Sequence, residues 1–126
     1  MNLYRNTTAL LLSMVLSHSA YSQHRYYHLL VGTYTKNQTN GIFVYRFDSK
    51  TGDFQQESKT EGIKNPSFLV LNEAADRVYS VSEGTEGQVS AFKFDNTNGT
   101  LELINSQETE SPGPCHIALS KDEKFV

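Results

Sequence analysis

Two sequence patterns recur in this 126-residue chain at nearly the same spacing, and this repetition restricts its fold more than any other feature. An aromatic-basic-aromatic-Asp motif followed by a glycine occupies residues 45–52 and again residues 92–99, 47 positions later. A proline-led run occupies residues 66–72 and again residues 114–120, 48 positions later. Tandem units of about 40–50 residues with four short strands are typical of β-propeller blades. A β-sandwich has no reason to repeat such a motif, so we favour the propeller.

Residues 66–110 are predicted to form one complete unit of four antiparallel strands. Alternating or β-branched runs separated by Asn, Gly and Asp turns indicate such strands, and here they cover residues 66–72, 77–83, 87–95 and 101–108. Three earlier runs match the second, third and fourth strands of this unit, at residues 25–35, 41–48 and 53–62. Residues 114–126 begin a further unit. The sequence therefore predicts an all-β chain with about two and a half propeller blades.

A propeller closes with roughly four to eight blades, which is more than this chain supplies. We therefore expect residues 23–126 to be the N-terminal part of an incomplete propeller domain, with the other blades further along the same protein. The first unit lacks its first strand. We expect a C-terminal segment to donate that strand, as commonly happens when a propeller closes.

The first 22 residues have the pattern of a secretory signal peptide. Arg5 precedes an apolar stretch at residues 9–16, and Ala20-Tyr21-Ser22 offers a small-x-small cleavage site. The apolar stretch is shorter than the roughly 20 residues that a membrane span requires. We therefore expect cleavage near Ser22, export to the periplasm or the extracellular space, and no membrane span afterwards.

Composition argues against several other classes of protein. Without residues 1–22, ten Lys plus Arg face fourteen Asp plus Glu, and no basic stripe suggests a nucleic-acid partner. Cys115 is the single cysteine, so no intrachain disulfide or cysteine-based metal site is possible. Nothing nearby marks this thiol as an activated nucleophile, and a structural role is favoured. No metal-ligand cluster or cofactor motif is visible, so we expect neither a metal nor a cofactor.

Propeller geometry gives the strand prediction a functional location. The first strand of each blade lines the central channel and the second returns beside it, so the start of one and the end of the other emerge on the same face. Polar groups at the mouth of a channel are the usual place for a ligand site. This face is predicted to gather Thr33, Tyr34, Asn65, Ser67, Glu83, Cys115 and His116.

Two of these side chains have both a chemical and a structural interpretation. His116 stands where the preceding unit has Phe68, and an imidazole can act as a base near neutral pH, but it can equally cap a strand. Glu83 can take a proton from water or hold sugar hydroxyls, but it can also accept hydrogen bonds from turn amides. Asp48 and Asp95 recur just before turns, which favours Asx-turns over catalysis.

The order of the motifs resembles one known family. VGTYT, GIFVYRFDSKTGDF, NPSFLVLNEAADRVYSVSE, GQVSAFKFDNTNGTLELINSQ and GPCHIALSKDEKFV resemble the opening blades of the seven-bladed β-propeller lactonases, the bacterial 6-phosphogluconolactonase type. The resemblance implies hydrolysis of a sugar lactone, such as 6-phosphogluconolactone to 6-phosphogluconate. It makes His116 and Glu83 the candidate catalytic residues. Asn65, Ser67 and Tyr34 are the candidate substrate-binding residues, and the expected partner is a small sugar lactone.

Two features modify what the resemblance implies. An exported enzyme rarely meets a cytoplasmic phosphosugar, and Lys64 is the only cation near the predicted site, so an unphosphorylated aldonolactone is also a plausible substrate. Fold alone does not fix chemistry. The alternatives are a lactonising or cycloisomerase enzyme on the same fold and a non-catalytic propeller that binds carbohydrate or protein. The chain by itself, without further blades, is expected to be inactive.

Overall fold

The computed structural model describes residues 25–34 and 41–126, and that part of the chain is all-β, without a helix. Its seven strands are β1 (Tyr26–Gly32), β2 (Ile42–Asp48), β3 (Phe54–Thr60), β4 (Leu69–Leu71), β5 (Arg77–Ser82), β6 (Gln88–Asp95) and β7 (Thr100–Glu108). Strands β1-β2-β3 form one antiparallel sheet, and β4-β5-β6-β7 form another, each in chain order. The predicted complete blade is thus confirmed, with a three-stranded partial blade before it.

The two sheets repeat in geometry as well as in sequence. A β-bulge at Glu57 of β3 lies opposite Val44 and Tyr45 of β2. The equivalent bulge, at Ile104 of β7, lies opposite Ala91 and Phe92 of β6, 47 positions later. The turns that follow also match, because the amides of Gly52 and Gly99 each donate to the carbonyl of the aspartate four residues earlier, at 2.8 Å. Both glycines have a positive φ. Bulges and turns of one design at one period identify the sheets as copies of a single unit.

Asp48 and Asp95 form the Asx-turns that the sequence predicts. Oδ1 of Asp48 accepts a hydrogen bond from the Lys50 amide at 2.9 Å. Oδ1 of Asp95 accepts one from the Thr97 amide at the same distance. These contacts fix the start of each turn and explain why an aspartate recurs there.

Strand β4 is shorter than predicted, and residues 114–120 are not a strand. Pro66 lacks an amide donor and Asn65 has a φ of 45°, so regular pairing begins only at Leu69. Residues 114–120 have no hydrogen-bonded partner strand among the described residues. The turn after them nevertheless repeats the earlier one 48 positions on, since Ser120 N donates to Phe125 O as Asn72 N donates to Arg77 O.

The hydrophobic core lies between the two sheets. Ile42 and Val44 of β2 pack against residues of the second sheet that include Phe92 and Phe94. Phe92 is 0% exposed and Phe94 is 5% exposed, whereas their counterparts in the first sheet, Tyr45 and Phe47, are only partly buried. Equivalent positions therefore differ in burial because one sheet has a preceding neighbour in the structure and the other does not. This is the packing of adjacent propeller blades.

Polar contacts also join the sheets. Ser58 Oγ in β3 donates to the Gly99 carbonyl at 2.5 Å. Within the first sheet, His28 Nε2 of β1 lies 2.9 Å from Glu57 Oε2 of β3. The His28 ring packs edge-on against Phe94 across the boundary, with centroids 5.4 Å apart. The blades are therefore in fixed register with each other.

Two expectations about the N-terminus fall on residues that the structure does not describe. The predicted signal peptide and its cleavage near Ser22 lie outside the described residues. Across residues 25–34 and 41–126, no helix is long and apolar enough to cross a membrane.

Candidate functional site

Asn65 brings the entry of β4 and the exit of β5 together. Its carbonyl accepts hydrogen bonds from the amides of Ser67 at 2.7 Å and Glu83 at 3.0 Å. Its side-chain amide donates to the Glu83 carbonyl at 2.6 Å. The two segments therefore emerge at the same edge of the sheet, and the side chains that follow them face a common region.

Tyr34 reaches this region from the neighbouring blade. Its hydroxyl donates a hydrogen bond to Oε2 of Glu83 at 2.8 Å. Strand β1 pairs with β2 as β5 pairs with β6, and counting from the matched bulges makes Tyr34 and Glu83 equivalent residues of successive blades. Two copies of one structural position thus contact each other at the edge where the two sheets adjoin.

The Tyr34–Glu83 contact affects the ionisation of both groups. The nearby Ser67 hydroxyl and then the Tyr34 hydroxyl hold the pKa of the Glu83 carboxyl below its ordinary value. The bond to Glu83, followed by loss of hydration, raises the pKa of the Tyr34 phenol. Ser67 Oγ is buried and close to the carboxylate, but it has no aligned hydrogen-bond partner within the described part of the chain. Glu83 is therefore a carboxylate at neutral pH, with Tyr34 as its donor.

His116 lies at the entry of the next blade, as the sequence predicts. Its ring packs against Phe68, its counterpart in the preceding blade, with centroids 4.5 Å apart and planes tilted by 47°. The imidazole is exposed, and Phe68 is 38% exposed. The neighbouring Cys115 is a free, exposed thiol. An accessible imidazole on an aromatic surface is free to meet a solute from the channel.

The predicted site residues are thus gathered on one face without forming one bonded cluster. Tyr34, Asn65, Ser67 and Glu83 are in mutual contact, whereas no hydrogen bond or ion pair between the described residues joins His116 to Glu83. The Thr33 hydroxyl donates to the Gly41 carbonyl at 2.9 Å. The carboxylate and the imidazole are linked through Ser67 and Phe68, which are consecutive in the chain.

Two concave regions adjoin Glu83. A shallow pocket of about 520 Å³ is lined by Tyr34, Glu83, Gly84, Thr85, Pro112 and Gly113. A deeper cavity of about 580 Å³ lies between the blades and includes Lys64, Asn65 and Glu83 in its lining. Glu83 forms part of both linings. Of the described residues that line them, Lys64 is the only cation.

The hydrogen bond between Tyr34 and Glu83 was not predicted from the sequence. VGTY (31–34) and SVSE (80–83) each end the second strand of a unit, and aligning these ends would have made the two residues equivalent. Their contact still depends on the angle between blades, which no local pattern specifies. No group of three or more His, Cys, Asp or Glu side chains able to hold a metal occurs in the described ranges.

Comparison with known proteins gives consistent matches. Residues 28–126 match the sequence profile of the family described as lactonase, 7-bladed beta-propeller. The 6-phosphogluconolactonase of Formosa agariphila is 39% identical over 102 residues, which cover 78% of this chain and 29% of the relative. The 6-phosphogluconolactonase of Bacillus subtilis is 29% identical over 97 residues, which cover 76% of this chain and 28% of the relative.

A solved structure shares the fold of the described region. The periplasmic gluconolactonase of Pseudomonas aeruginosa superposes with a TM-score of 0.74 at 32% identity, covering 78% of this chain and 29% of that structure. The chain thus spans less than a third of the length of these relatives. It covers part of a propeller.

Proposed function

Because this chain belongs to the family of seven-bladed β-propeller lactonases, we propose that the propeller to which it contributes hydrolyses the ester of a sugar lactone. The observation that carries the proposal is the channel mouth, where Tyr34 and Glu83 from adjacent blades meet beside His116. The relatives named 6-phosphogluconolactonase and gluconolactonase support it. The predicted domain at residues 23–126 then supplies one side of the site, and further blades supply the rest.

In the proposed mechanism His116 is the general base and Glu83 orients the nucleophile. The neutral imidazole takes a proton from water as the water oxygen bonds to the lactone carbonyl carbon. The Glu83 carboxylate accepts a hydrogen bond from the same water. When the ring C–O bond breaks, the imidazolium returns its proton to the leaving alkoxide, and an aldonic acid results. Asn65 and Ser67 belong to the polar rim that meets the sugar hydroxyls, and Tyr34 stands behind Glu83 as its hydrogen-bond donor.

The charge of the site favours an unphosphorylated lactone as the substrate. Glu83 is ionised at neutral pH, and a carboxylate repels a sugar phosphate. Lys64 is an exposed turn residue and gives little compensation. An aldonolactone such as glucono-1,5-lactone also suits the proposed export, in which residues 1–22 are a signal peptide cleaved near Ser22.

Acid release tests the proposed reaction. The complete propeller should accelerate opening of glucono-1,5-lactone well beyond the spontaneous rate, and should act less well on its 6-phosphate. A preference for the phosphate would contradict the proposed substrate while keeping the reaction. Opening of both lactones at the spontaneous rate would end the hydrolytic proposal.

Substitution tests the proposed residues. His116→Ala should lower kcat by roughly 10²–10⁴-fold, the usual contribution of a general base. Glu83→Gln should also slow turnover, and neither variant should lower the melting temperature. Glu102→Gln, on the exposed part of β7, is the matched control and should leave turnover unchanged. A lower melting temperature with unchanged turnover would show that both residues have structural roles.

A non-catalytic carbohydrate-binding propeller is the second candidate. The exposed rings of Tyr34 and Phe68, 59% and 38% accessible, favour it because sugars stack on aromatic faces. Calorimetry separates the two candidates. Saturable binding of a sugar with no acceleration of lactone opening would select the binding protein.

A further inference from the structure

We infer that Tyr34 is a positioning residue, which serves the site by holding the Glu83 carboxylate across the blade boundary and does not act on the lactone itself. Its kinetic consequences rest on the proposed hydrolytic function. The structural relation does not, because the 2.8 Å hydrogen bond joins two protein side chains from successive blades. The geometry of Glu83 therefore depends on how the blades pack.

The hydrogen bond from Tyr34 restrains the Glu83 side chain from the neighbouring blade. Asn65 binds only the backbone of Glu83, through its carbonyl and its side-chain amide, and so fixes where the side chain begins. Beyond that point the carboxylate is placed by Tyr34 and by the nearby buried Ser67 hydroxyl. A glutamate at a strand end otherwise samples several rotamers, and ordering it costs side-chain entropy. A rigid phenol from the next blade limits that freedom before the substrate arrives.

The hydroxyl of Tyr34 has a single proton, which it donates in the hydrogen bond to the Glu83 carboxylate. With that proton engaged, the phenol keeps only acceptor capacity for a sugar hydroxyl. The raised pKa of Tyr34, caused first by Glu83, keeps the phenol protonated at neutral pH. The lowered pKa of Glu83, to which Ser67 and then Tyr34 contribute, keeps the acceptor charged. Each partner thus favours the ionisation state that the hydrogen bond needs.

Removing one oxygen atom tests this role. Tyr34→Phe keeps the ring and its packing but loses the donor. Without the donor the pKa of Glu83 rises towards its ordinary value, so less of the carboxylate is ionised at acid pH. In the complete propeller two groups shape the acid limb of kcat/KM, the His116 base and the Glu83 carboxylate, and the inflection at lower pH, which belongs to Glu83, should move to higher pH. At acid pH the variant should be roughly three- to tenfold slower than wild type, as expected for loss of one hydrogen bond, and the gap should narrow above neutrality.

Tyr27→Phe is the matched control. Tyr27 lies on β1, the strand that leads to Tyr34, is 52% exposed, and has no assigned role in the site. Its variant should follow the wild-type pH profile. A rise in KM at every pH with an unmoved acid limb in Tyr34→Phe would instead show direct contact with the lactone. A lower melting temperature with an unchanged profile would reduce Tyr34 to a contact between blades. Either result overturns the inference.

A second readout is independent of lactonase activity. With ¹³C-labelled glutamate, the carboxyl signal absent from Glu83→Gln identifies Glu83, and its chemical shift can be followed against pH. The midpoint should lie higher in Tyr34→Phe than in wild type. An unchanged midpoint overturns the inference even if the protein hydrolyses lactones. A raised midpoint in a protein that hydrolyses none supports the positioning contact while the proposed reaction fails.

Discussion

At the residue scale, Asp48 and Asp95 occupy equivalent turn positions in successive blades but have different neighbouring side chains. Both begin Asx-turns, but the Asp48 carboxylate also forms an ion pair with Arg25, 23 residues earlier in the chain. The Arg25 guanidinium lowers the pKa of Asp48 from 3.8 to about 2. No guanidinium within residues 25–34 and 41–126 pairs with Asp95, and its pKa is lowered mainly by the Asn98 side chain.

The Asp48 ion pair predicts a pH dependence of stability. A depressed folded-state pKa means that the carboxylate stabilises the fold above its unfolded value of 3.8, and that this stabilisation disappears as the pH falls through about 2. Asp48→Asn keeps an acceptor for the turn but loses the charge. The melting temperature of wild type should therefore exceed that of Asp48→Asn at pH 5, and the two should converge towards pH 2.

The matched control is Asp95→Asn, which makes the same change at the equivalent turn without an arginine partner. It should show a smaller difference at pH 5. A gap between wild type and Asp48→Asn that stays constant down to pH 2 would contradict the assigned role of the ion pair. The aspartates of both turns were predictable because Asx-turns are local. The Arg25 partner was not, because a contact over 23 residues depends on strand register.

At the scale of elements, Gly32 permits the close approach of two blades. A methyl group on this last residue of β1 would collide with the backbone carbonyl of Pro66, which leads into β4. No such obstruction surrounds Gly84, which has open space within 4 Å. The requirement for glycine at position 32 therefore comes from the contact between blades.

Gly32→Ala should lower the free energy of unfolding of the complete propeller by about 1–3 kcal/mol, the usual cost of overpacking against a neighbour that cannot move. Denaturant-induced unfolding measures this value, with Gly84→Ala as the control expected to change it by less than about 0.5 kcal/mol. Equal effects of the two substitutions would show that the blades tolerate a wider separation than the structure has.

Most elements follow from local sequence, and the exceptions have physical causes. Strands β5 and β6 begin and end within one residue of their predicted limits, because alternation and turn residues mark both ends. Strand β4 is short because Pro66 and the left-handed Asn65 delay its pairing. Residues 114–120 have a strand-like sequence but no hydrogen-bonded partner among the described strands. Hydrogen-bonded partners, unlike propensities, are not a local property.

At the scale of the whole molecule, the first sheet presents an apolar face that no described residue covers. Tyr27, Leu29 and Val31 of β1 and Phe54 of β3 are 52%, 45%, 37% and 66% exposed. The corresponding face of the second sheet is buried against the first through Phe92 and Phe94. Exposed apolar faces and open sheet edges promote association.

The 126-residue chain expressed alone should therefore self-associate as its concentration rises, and it should unfold over a broad temperature range. Sedimentation velocity at several concentrations and a thermal scan measure these properties. The complete propeller is the reference and should remain a defined species with a sharp transition. A monomeric 126-residue chain with a cooperative two-state transition would contradict the assignment of this face to packing between blades.

At this scale the sequence predicts where the candidate site lies, but not which hydrogen bonds and ring contacts form there. The repeat placed Asn65, Glu83 and His116 on one face, because the order of strands in a blade fixes which ends emerge together. The stacking of His116 on Phe68 and the bond from Tyr34 to Glu83 required the angle between successive blades. That angle is set by the core around Ile42, Val44 and Phe92, which forms only when two sheets meet.

The central claim is that successive blades bring Glu83 and His116 to act on one lactone, and a double-mutant cycle in the complete propeller tests it most directly. Here kcat/KM for glucono-1,5-lactone is measured for wild type, Glu83→Gln, His116→Ala and the double variant. Residues that act on the same water are strongly non-additive, so the double variant should be little slower than the slower single variant. Losses that simply multiply, or single variants that match wild type, would contradict the account.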